Sequence, residues 1–310
     1  MHRSFFEVMQ TGLNRQNSVL CPDVNENVQK DFKAFVLRQL EGCSLEHEFY
    51  DLKFSFNTVS SADAIIPSNL VVLLSGGIDS MVGALYALKQ YEYSSITLLF
   101  VDYGSPYNAC ERICAASVAA YVKRLYPSRN VNLQTRSLDV VLDEKKFGKG
   151  YLIPARNALL SSLAILYGDK VWLSTNWRLE RPTDDINAGA CDKAPYFFAT
   201  MSEMLSRQYK TPISVTSPIF HMTKAQTIQW LIDAFPTAYV DLLHITTSCY
   251  SPSLVDGKVR SCGACYGCWK AAAAFRDCNI WDLVYDCFLE NPFQGKNNQQ
   301  YQDRETDKGR

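Results

Sequence analysis

The sequence predicts an α/β fold: a parallel sheet with helices on both faces, an N-terminal extension before it, and a small cysteine-rich metal-binding subdomain after it. Three observations predict this. From residue 70 onward, short apolar runs alternate with segments of helical period, the pattern of βαβ units. A glycine-rich turn, Ser75-Gly76-Gly77-Ile78-Asp79-Ser80, joins the first apolar run to the first helical segment. Near the C-terminus, Cys249, Cys262, Cys265 and Cys268 follow the spacing C-x12-C-x2-C-x2-C.

The elements follow in order. Within residues 1–66, Asn27 to Leu40 places Val28, Phe32, Phe35, Val36 and Leu40 near helical spacing. Tyr50, Leu52, Phe54 and Phe56 then alternate with polar residues, as in a half-buried strand. Pro67-Ser68-Asn69 breaks this piece from the rest. Strands are expected at Leu70–Leu74, Ile96–Val101, Val131–Ser137 and Val171–Ser174, where apolar and β-branched residues cluster. Helices are expected at Asp79–Gln90, Ala109–Leu125, Ala194–Arg207 and Lys224–Phe235. Pro154 is placed to open a further helix running through Leu159, Leu160, Leu163 and Leu166. The expected divisions are an extension at 1–66, a sheet domain at 67–240, a four-cysteine and helical region at 241–293, and a disordered polar tail at 294–310.

Composition narrows the function classes. The 310 residues are 47% hydrophobic and 20% charged, ordinary for a globular protein. Thirty-one basic and 32 acidic residues leave a net charge of -1. No global positive field exists to hold nucleic acid, so none is expected as a partner. No apolar stretch is long enough to cross a membrane. The segment Met1 to Glu7 lacks a signal-peptide core, and a cytoplasmic location is expected. In such a compartment the eleven cysteines are not a disulfide framework. Cys110, Cys114, Cys278 and Cys287 read as small buried hydrophobes. Cys21, Cys43 and Cys191 are assigned nothing catalytic, although Cys191 lies close to a candidate substrate loop. No hydrolase triad is visible, and His221 and His244 read as packing or loop residues.

The glycine-rich turn has a direct chemical reading. Two glycines let the backbone bend tightly and approach a ligand with no Cβ in the way. N–H groups of the turn and of the helix behind it then converge on one anion. The candidate phosphate cradle is Leu74, Ser75, Gly76, Gly77, Ile78, Asp79, Ser80 and Met81. Asp79 cannot bind phosphate itself; it can hold Mg²⁺ or brace the turn. The four cysteines suit structural Zn²⁺ in a closed tetrahedron. An iron–sulfur cluster is the alternative.

The turn resembles the loop of the PP-loop ATPases and lacks the Gly-Lys-Ser/Thr of a Walker A motif. In that superfamily ATP is cleaved between its α and β phosphates and AMP activates a carbonyl or carboxylate oxygen. Over residues 70–278 the chain is similar to the 7-cyano-7-deazaguanine synthase (QueC) family. The similarity is carried by the glycine-rich turn, Asp102-Tyr103-Gly104, Tyr151-Leu152-Ile153-Pro154-Ala155-Arg156-Asn157, Thr211-Pro212-Ile213, Lys224, Thr247-Ser248-Cys249-Tyr250, the Cys262-Gly-x-Cys265-x-x-Cys268 run and Ala274-Phe275, in that order.

The resemblance implies ATP-dependent conversion of 7-carboxy-7-deazaguanine to an amide and then a nitrile, with ATP, Mg²⁺ and Zn²⁺ as cofactors. Arg156 and Lys224 would then stabilise charge on the phosphates beside Asp79. Asp102, Tyr103 and Asn157 become substrate-binding candidates. Asp185 or Asp192 would grip the N1–H and 2-amino edge of the base. The parent family also implies a homodimer.

Three departures from the family pattern concern the acceptor more than the activation step. Ser105-Pro106-Tyr107 stands where the family has Gln-Arg-His, Thr183 to Asp192 replaces the usual substrate loop, and about 66 residues precede the first strand. Divergent relatives in anti-phage (CBASS-type) systems join the acyl group to the amino terminus of a partner protein, and the chain is expected to belong to that branch. A preQ0 synthase using ammonia is the alternative. A PP-loop tRNA thiolase needs a sulfur-carrying cysteine and a basic face, which the sequence does not offer. A non-catalytic nucleotide-binding scaffold is the reading from a different class.

Overall fold

The computed structural model describes residues 69–138, 156–176 and 191–294, except 92, 94 and 194. The expected helix at Asn27–Leu40, the strand at Tyr50–Phe56, Pro154, Asp185 and all but Gln294 of the polar tail lie outside the described residues.

Five parallel strands form the central sheet: β1 (Asn69–Leu73), β2 (Ser95–Asp102), β3 (Val131–Ser137), β4 (Lys170–Leu173) and β5 (Ser214–Thr216), in the order β3-β2-β1-β4-β5. β1 sits at the centre, with Leu70 opposite Ile96 on one side and Lys170 on the other. Its residues read as one apolar run because both faces are covered. Leu70, Val72 and Leu74 join Ile96, Leu98, Phe100 and Trp172 in one core. Val71 joins Leu99, Val101, Val171, Leu173 and Val215 in the other. The two-residue period of the strands thus divides the interior into two layers.

Helices cover the layers unequally. On the first face lie α1 (Ile78–Gln90), α2 (Asn108–Leu125) and α5 (Lys224–Ala234), contributing Met81, Leu85, Val118, Val122, Ile228 and Leu231. On the second lie α3 (Arg156–Ala164) and α4 (Pro195–Tyr209), contributing Ala164, Phe198, Met201 and Leu205. Leu98 is fully buried at the sheet centre; truncating such a leucine to alanine costs about 2–5 kcal/mol. Close approach matters at Gly83 of α1. A Cβ there would lie 1.8 Å from Ser174 Oγ and 2.8 Å from Ser174 Cβ, so the helix rests directly on the end of β4.

α3 ends two residues before Leu166, which is 70% exposed. There Leu166 N and Tyr167 N donate to the carbonyls three residues back, and the tightened last turn leads the chain into β4.

The C-terminal region adds α6 (Tyr239–His244), a hairpin of β6 (Ser253–Val255) and β7 (Lys258–Arg260), α7 (Tyr266–Asp277) and α8 (Trp281–Val284). Leu242, Leu243, Ala271, Phe275, Ile280 and Val284 join the same core as Leu70 and Leu98. The cysteine region is therefore an extension of the first layer and shares its core. No helix among the described residues is long and apolar enough to cross a membrane.

Strand order reverses beside β1: β2 lies on one side of it and β4 on the other. The helices after these strands leave in opposite directions, opening a crevice at the carboxyl ends, where α/β sheets bind ligands.

Candidate functional site at the carboxyl ends of β1 and β4

The crevice is a cleft of about 290 Å³, at the small end of small-molecule sites. Its floor is the turn between β1 and α1. Gly76 takes φ +79°, and a Cβ there would stand 2.6 Å from Glu111 O and 2.7 Å from Cys114 Cβ. Only glycine satisfies both the torsion and the contact with α2. Ser75 Oγ donates to Ser80 Oγ (3.2 Å), and Ser80 Oγ donates to Gly77 O (2.9 Å). Gly77 caps α1 without a side-chain hydrogen bond, which leaves the first-turn N–H groups for a ligand.

Leu74, Ser75, Gly77, Ile78, Asp79 and Ser80 line the cleft. Gly76 supplies the bend from behind. Met81, the last residue of the expected cradle, lies outside the lining: its side chain is in the core and its N–H donates to Gly77 O.

Lys224 reaches this floor from α5. Its Nζ donates to Asp79 Oδ1 at 2.8 Å, with Lys224 nearly buried. Thr223 caps the helix in a reciprocal box: Gln226 N donates to Thr223 Oγ1 (3.1 Å) and Thr223 N to Gln226 Oε1 (2.8 Å). A lysine in the first turn opposes the helix dipole; Asp79 offsets that cost. The carboxylate thus braces the turn, and it is one oxygen-ligand group of the kind Mg²⁺ takes alongside phosphates. Asn176 Nδ2 contacts Met222 O (3.0 Å) and Thr227 Oγ1 (2.9 Å), fixing the approach to α5. At the end of β4, Ser174 and Thr175 line the cleft. Their hydroxyls are buried with no hydrogen-bond partner among the described residues, so they suit polar ligand atoms.

The opposite wall is built from side chains. Arg156, at the start of α3, is hydrogen-bonded to Tyr103. Burial opposes its charge, yet Tyr103, Tyr107 and Asp192 outweigh that and keep the guanidinium charged. Burial pushes the Tyr103 hydroxyl up, so it stands as a neutral donor. Asn157 lines the cleft and donates from Nδ2 to Asp192 O at 3.2 Å.

Asp192 itself lies outside the lining. It sits on a single 3-10 turn, Cys191–Lys193, where its charge supports Arg156 and its Oδ1 is buried without a partner among the described residues. Asp102 also lies outside the lining. Its Oδ1 accepts from Gly104 N (3.0 Å) and from Asn108 Nδ2, holding the turn between β2 and α2. That turn delivers Tyr103 and Tyr107 to the cleft.

Sequence reasoning did not single out several polar lining residues, among them Tyr107, Glu111, Ser174, Thr175, Lys193 and Lys270. Lys193 immediately follows the expected substrate loop, and Lys270 follows Cys268 by two positions; those neighbours were the available signals.

The cysteine cluster lies behind the floor. Sγ–Sγ distances are 3.8 Å for Cys262–Cys268, 3.8 Å for Cys249–Cys265 and 3.4 Å for Cys265–Cys268. A tetrahedral Zn²⁺ with bonds of about 2.3 Å requires roughly 3.8 Å between sulfurs. Backbone N–H groups surround the thiols: Ser251 N and Cys262 N donate to Cys249 Sγ at 3.2 Å, and Gly263 N to Cys268 Sγ at 3.4 Å. Contact with the Cys249 and Cys268 sulfurs pulls the Cys265 thiol below its ordinary range. The four residues fit a metal ion.

Cys249 connects this cluster to the floor. Its N–H donates to Thr247 Oγ1 (3.2 Å), and Thr247 N donates to Gly76 O (3.1 Å). Burial pushes up the thiols of Cys110, Cys114, Cys278 and Cys287, to about 12 for Cys114 and Cys287; Cys114 is buried as expected, whereas the other three are only partly buried. His244 bridges Val240 O and Asp286, where Arg260 also pairs, in a lock between α6 and the chain after α8.

Comparison with known proteins agrees with this geometry. The sequence model of a family described as "Queuosine biosynthesis protein QueC" matches residues 69–279. A protein named 7-cyano-7-deazaguanine synthase 2 from Desulfitobacterium hafniense (strain Y51) is 30% identical over 228 residues, 69% of this chain and 91% of that one. A 7-cyano-7-deazaguanine synthase from Thermoplasma volcanium is 27% identical over 252 residues, 75% and 96% of the two chains. One from Xylella fastidiosa (strain 9a5c) is 27% identical over 231 residues, 68% and 92%. With the crevice, its glycine turn and the four thiols all inside the matched span, the chain belongs to the QueC family.

Proposed function

We propose that this chain uses ATP to activate the carboxylate of 7-carboxy-7-deazaguanine and joins the acyl group to an amine, releasing pyrophosphate and then AMP. One observation carries the reading. An anion cradle at the switch point, with Lys224 beside it, faces a second cationic wall centred on Arg156 across the same small cleft.

A free carboxylate is a poor electrophile. Its oxygen attacks the α-phosphorus, and pyrophosphate departs with the electron pair. First-turn N–H groups of α1 and the Lys224 ammonium hold the negative charge that moves onto the phosphates. Arg156 faces the acyl side, where it can hold the carboxylate and later the oxyanion formed by amine attack. Asn157 and Tyr103 add neutral donors there. The four-thiolate ion has no open position for substrate and serves the architecture.

The printed name of the relatives ends at a cyano product, which favours ammonia as the amine. Ser105-Pro106-Tyr107 and the 68 residues ahead of β1 favour a larger acceptor, the amino terminus of a partner protein. Carboxydeazaguanine-dependent exchange of pyrophosphate into ATP tests the activation step, and its absence overturns the proposal. Mass spectrometry after adding ammonium or protein acceptors separates the two amines. Efficient nitrile formation from ammonium alone removes the protein acceptor.

A further inference from the structure

We infer that Lys193 is the group that takes the proton from the attacking amine during acyl transfer. This rests on the activation reading above. Lys193 closes the Cys191–Lys193 turn, which Asn157 Nδ2 ties to the start of α3 through Asp192 O at 3.2 Å. Its side chain lines the cleft.

The groups that face it are Arg156 of α3, Asp79 and Lys224 of the floor ion pair, and Asp192 on its own turn. Glu111 of α2 and Lys270 of α7 line the same cleft. Among the facing groups two cations balance two anions, so no net charge remains to hold a third ammonium. Burial pushes the Lys193 amine down, Arg156 and Lys224 push the same way, and Asp79 and Asp192 oppose them.

An ammonium at this place would duplicate what Arg156 and Lys224 already provide. A neutral amine supplies a base beside Arg156. Of the acids that line the cleft, Asp79 is paired with Lys224 and Glu111 stands on α2. A lysine amine held below its ordinary range on the wall of a cleft can act as a base.

The step balances. The nucleophile's nitrogen gives its electron pair to the acyl carbon, forming the C–N bond. One N–H proton passes to Lys193 Nζ. The C–O bond to AMP breaks, and its electron pair leaves with AMP. Lys193 then returns the proton to solvent.

The test uses full-length wild type, Lys193→Met and Lys193→Arg. Pyrophosphate exchange reports activation, and amide formation from saturating ammonium reports transfer. Both variants are expected to keep exchange within about threefold while amide formation falls by about 10²–10⁴-fold. The wild-type transfer rate should rise with pH to a plateau, and that limb should vanish in Lys193→Met. Melting temperature supplies the folding control. A lysine depressed by folding opposes folding fully below its folded pKa, and the opposition fades as pH rises toward the ordinary lysine range. Lys193→Met should therefore melt above wild type at neutral pH, the gap closing in alkali.

Loss of exchange in Lys193→Met with both activities kept in Lys193→Arg would make the residue a phosphate cation and overturn the inference. So would unchanged amide formation in Lys193→Met. Absence of exchange in wild type would instead overturn the activation reading on which it rests.

Discussion

The two walls of the cleft hold charge by different means. The floor is made of backbone: N–H groups at the start of α1, a left-handed glycine, and a lysine fixed by a capping box and an ion pair. The facing wall is made of side chains: Arg156, Asn157 and Lys193 on a helix start and one 3-10 turn, joined by the Asn157–Asp192 hydrogen bond. A backbone site is rigid and tolerates few sequences. A side-chain site can be rebuilt by exchanging a few residues, so it is where acceptor choice can change.

The largest expected effect strikes what stands behind the floor. Cys262→Ser breaks the four-thiolate set, and a structural ion contributes folding energy outright. Melting temperature should fall on the order of 10 °C, with metal content dropping in parallel by elemental analysis. A variant that keeps both would remove the ion from the architecture.

Asp79→Ala comes next. It leaves Lys224 unpaired beside the phosphate cradle. Pyrophosphate exchange should fall about 10²-fold or more, while melting temperature changes much less than in Cys262→Ser. Undiminished exchange would detach the floor from catalysis.

Gly76→Ala sharpens the backbone side of the contrast. A left-handed torsion costs a non-glycine residue about 1–3 kcal/mol, and the added Cβ meets Glu111 O at 2.6 Å. Urea unfolding should show that loss, together with a higher KM for ATP.

The smallest effect is expected from Thr223→Ala. Losing the cap costs about 1 kcal/mol and loosens Lys224, so KM for ATP should rise more than kcat falls. Equal falls of kcat and kcat/KM would instead place the Lys224 contact in the transition state alone.

The same contrast explains what the sequence made visible. Leu70–Leu74, Ile96–Val101 and Val131–Ser137 fall within one residue of the observed strands; the first two are apolar because both faces are covered, whereas the third is a polar edge strand. Ser75–Ser80 and the four cysteines were legible for a related reason: only glycine makes that bend, and only thiols at that spacing converge on one point. β5 escaped notice because Ser214 and Thr216 flank a single apolar Val215. The hairpin β6–β7 had a usable signal that went unread. Asp256-Gly257 takes φ +50° and +72°, as a tight Asp-Gly turn should.

Lys193 was invisible for another reason. Nothing in its sequence neighbourhood says that folding will bring Arg156 and Lys224 to face it. Asp102 was a substrate candidate from family position, and Asp192, as an alternative to Asp185, also because a carboxylate suits paired donors. The structure turns Asp102 to brace a loop and Asp192 to support Arg156.

Gly83 carries a consequence for how such a protein can diversify. The backbone of α1 presses on Ser174 so tightly that a methyl group would intrude. The spacing between α1 and the tip of β4 is thereby set by the missing side chain at Gly83 and the small one of Ser174. Enlarging either residue would lift the helix off the strand and move the cleft wall that Ser174 lines.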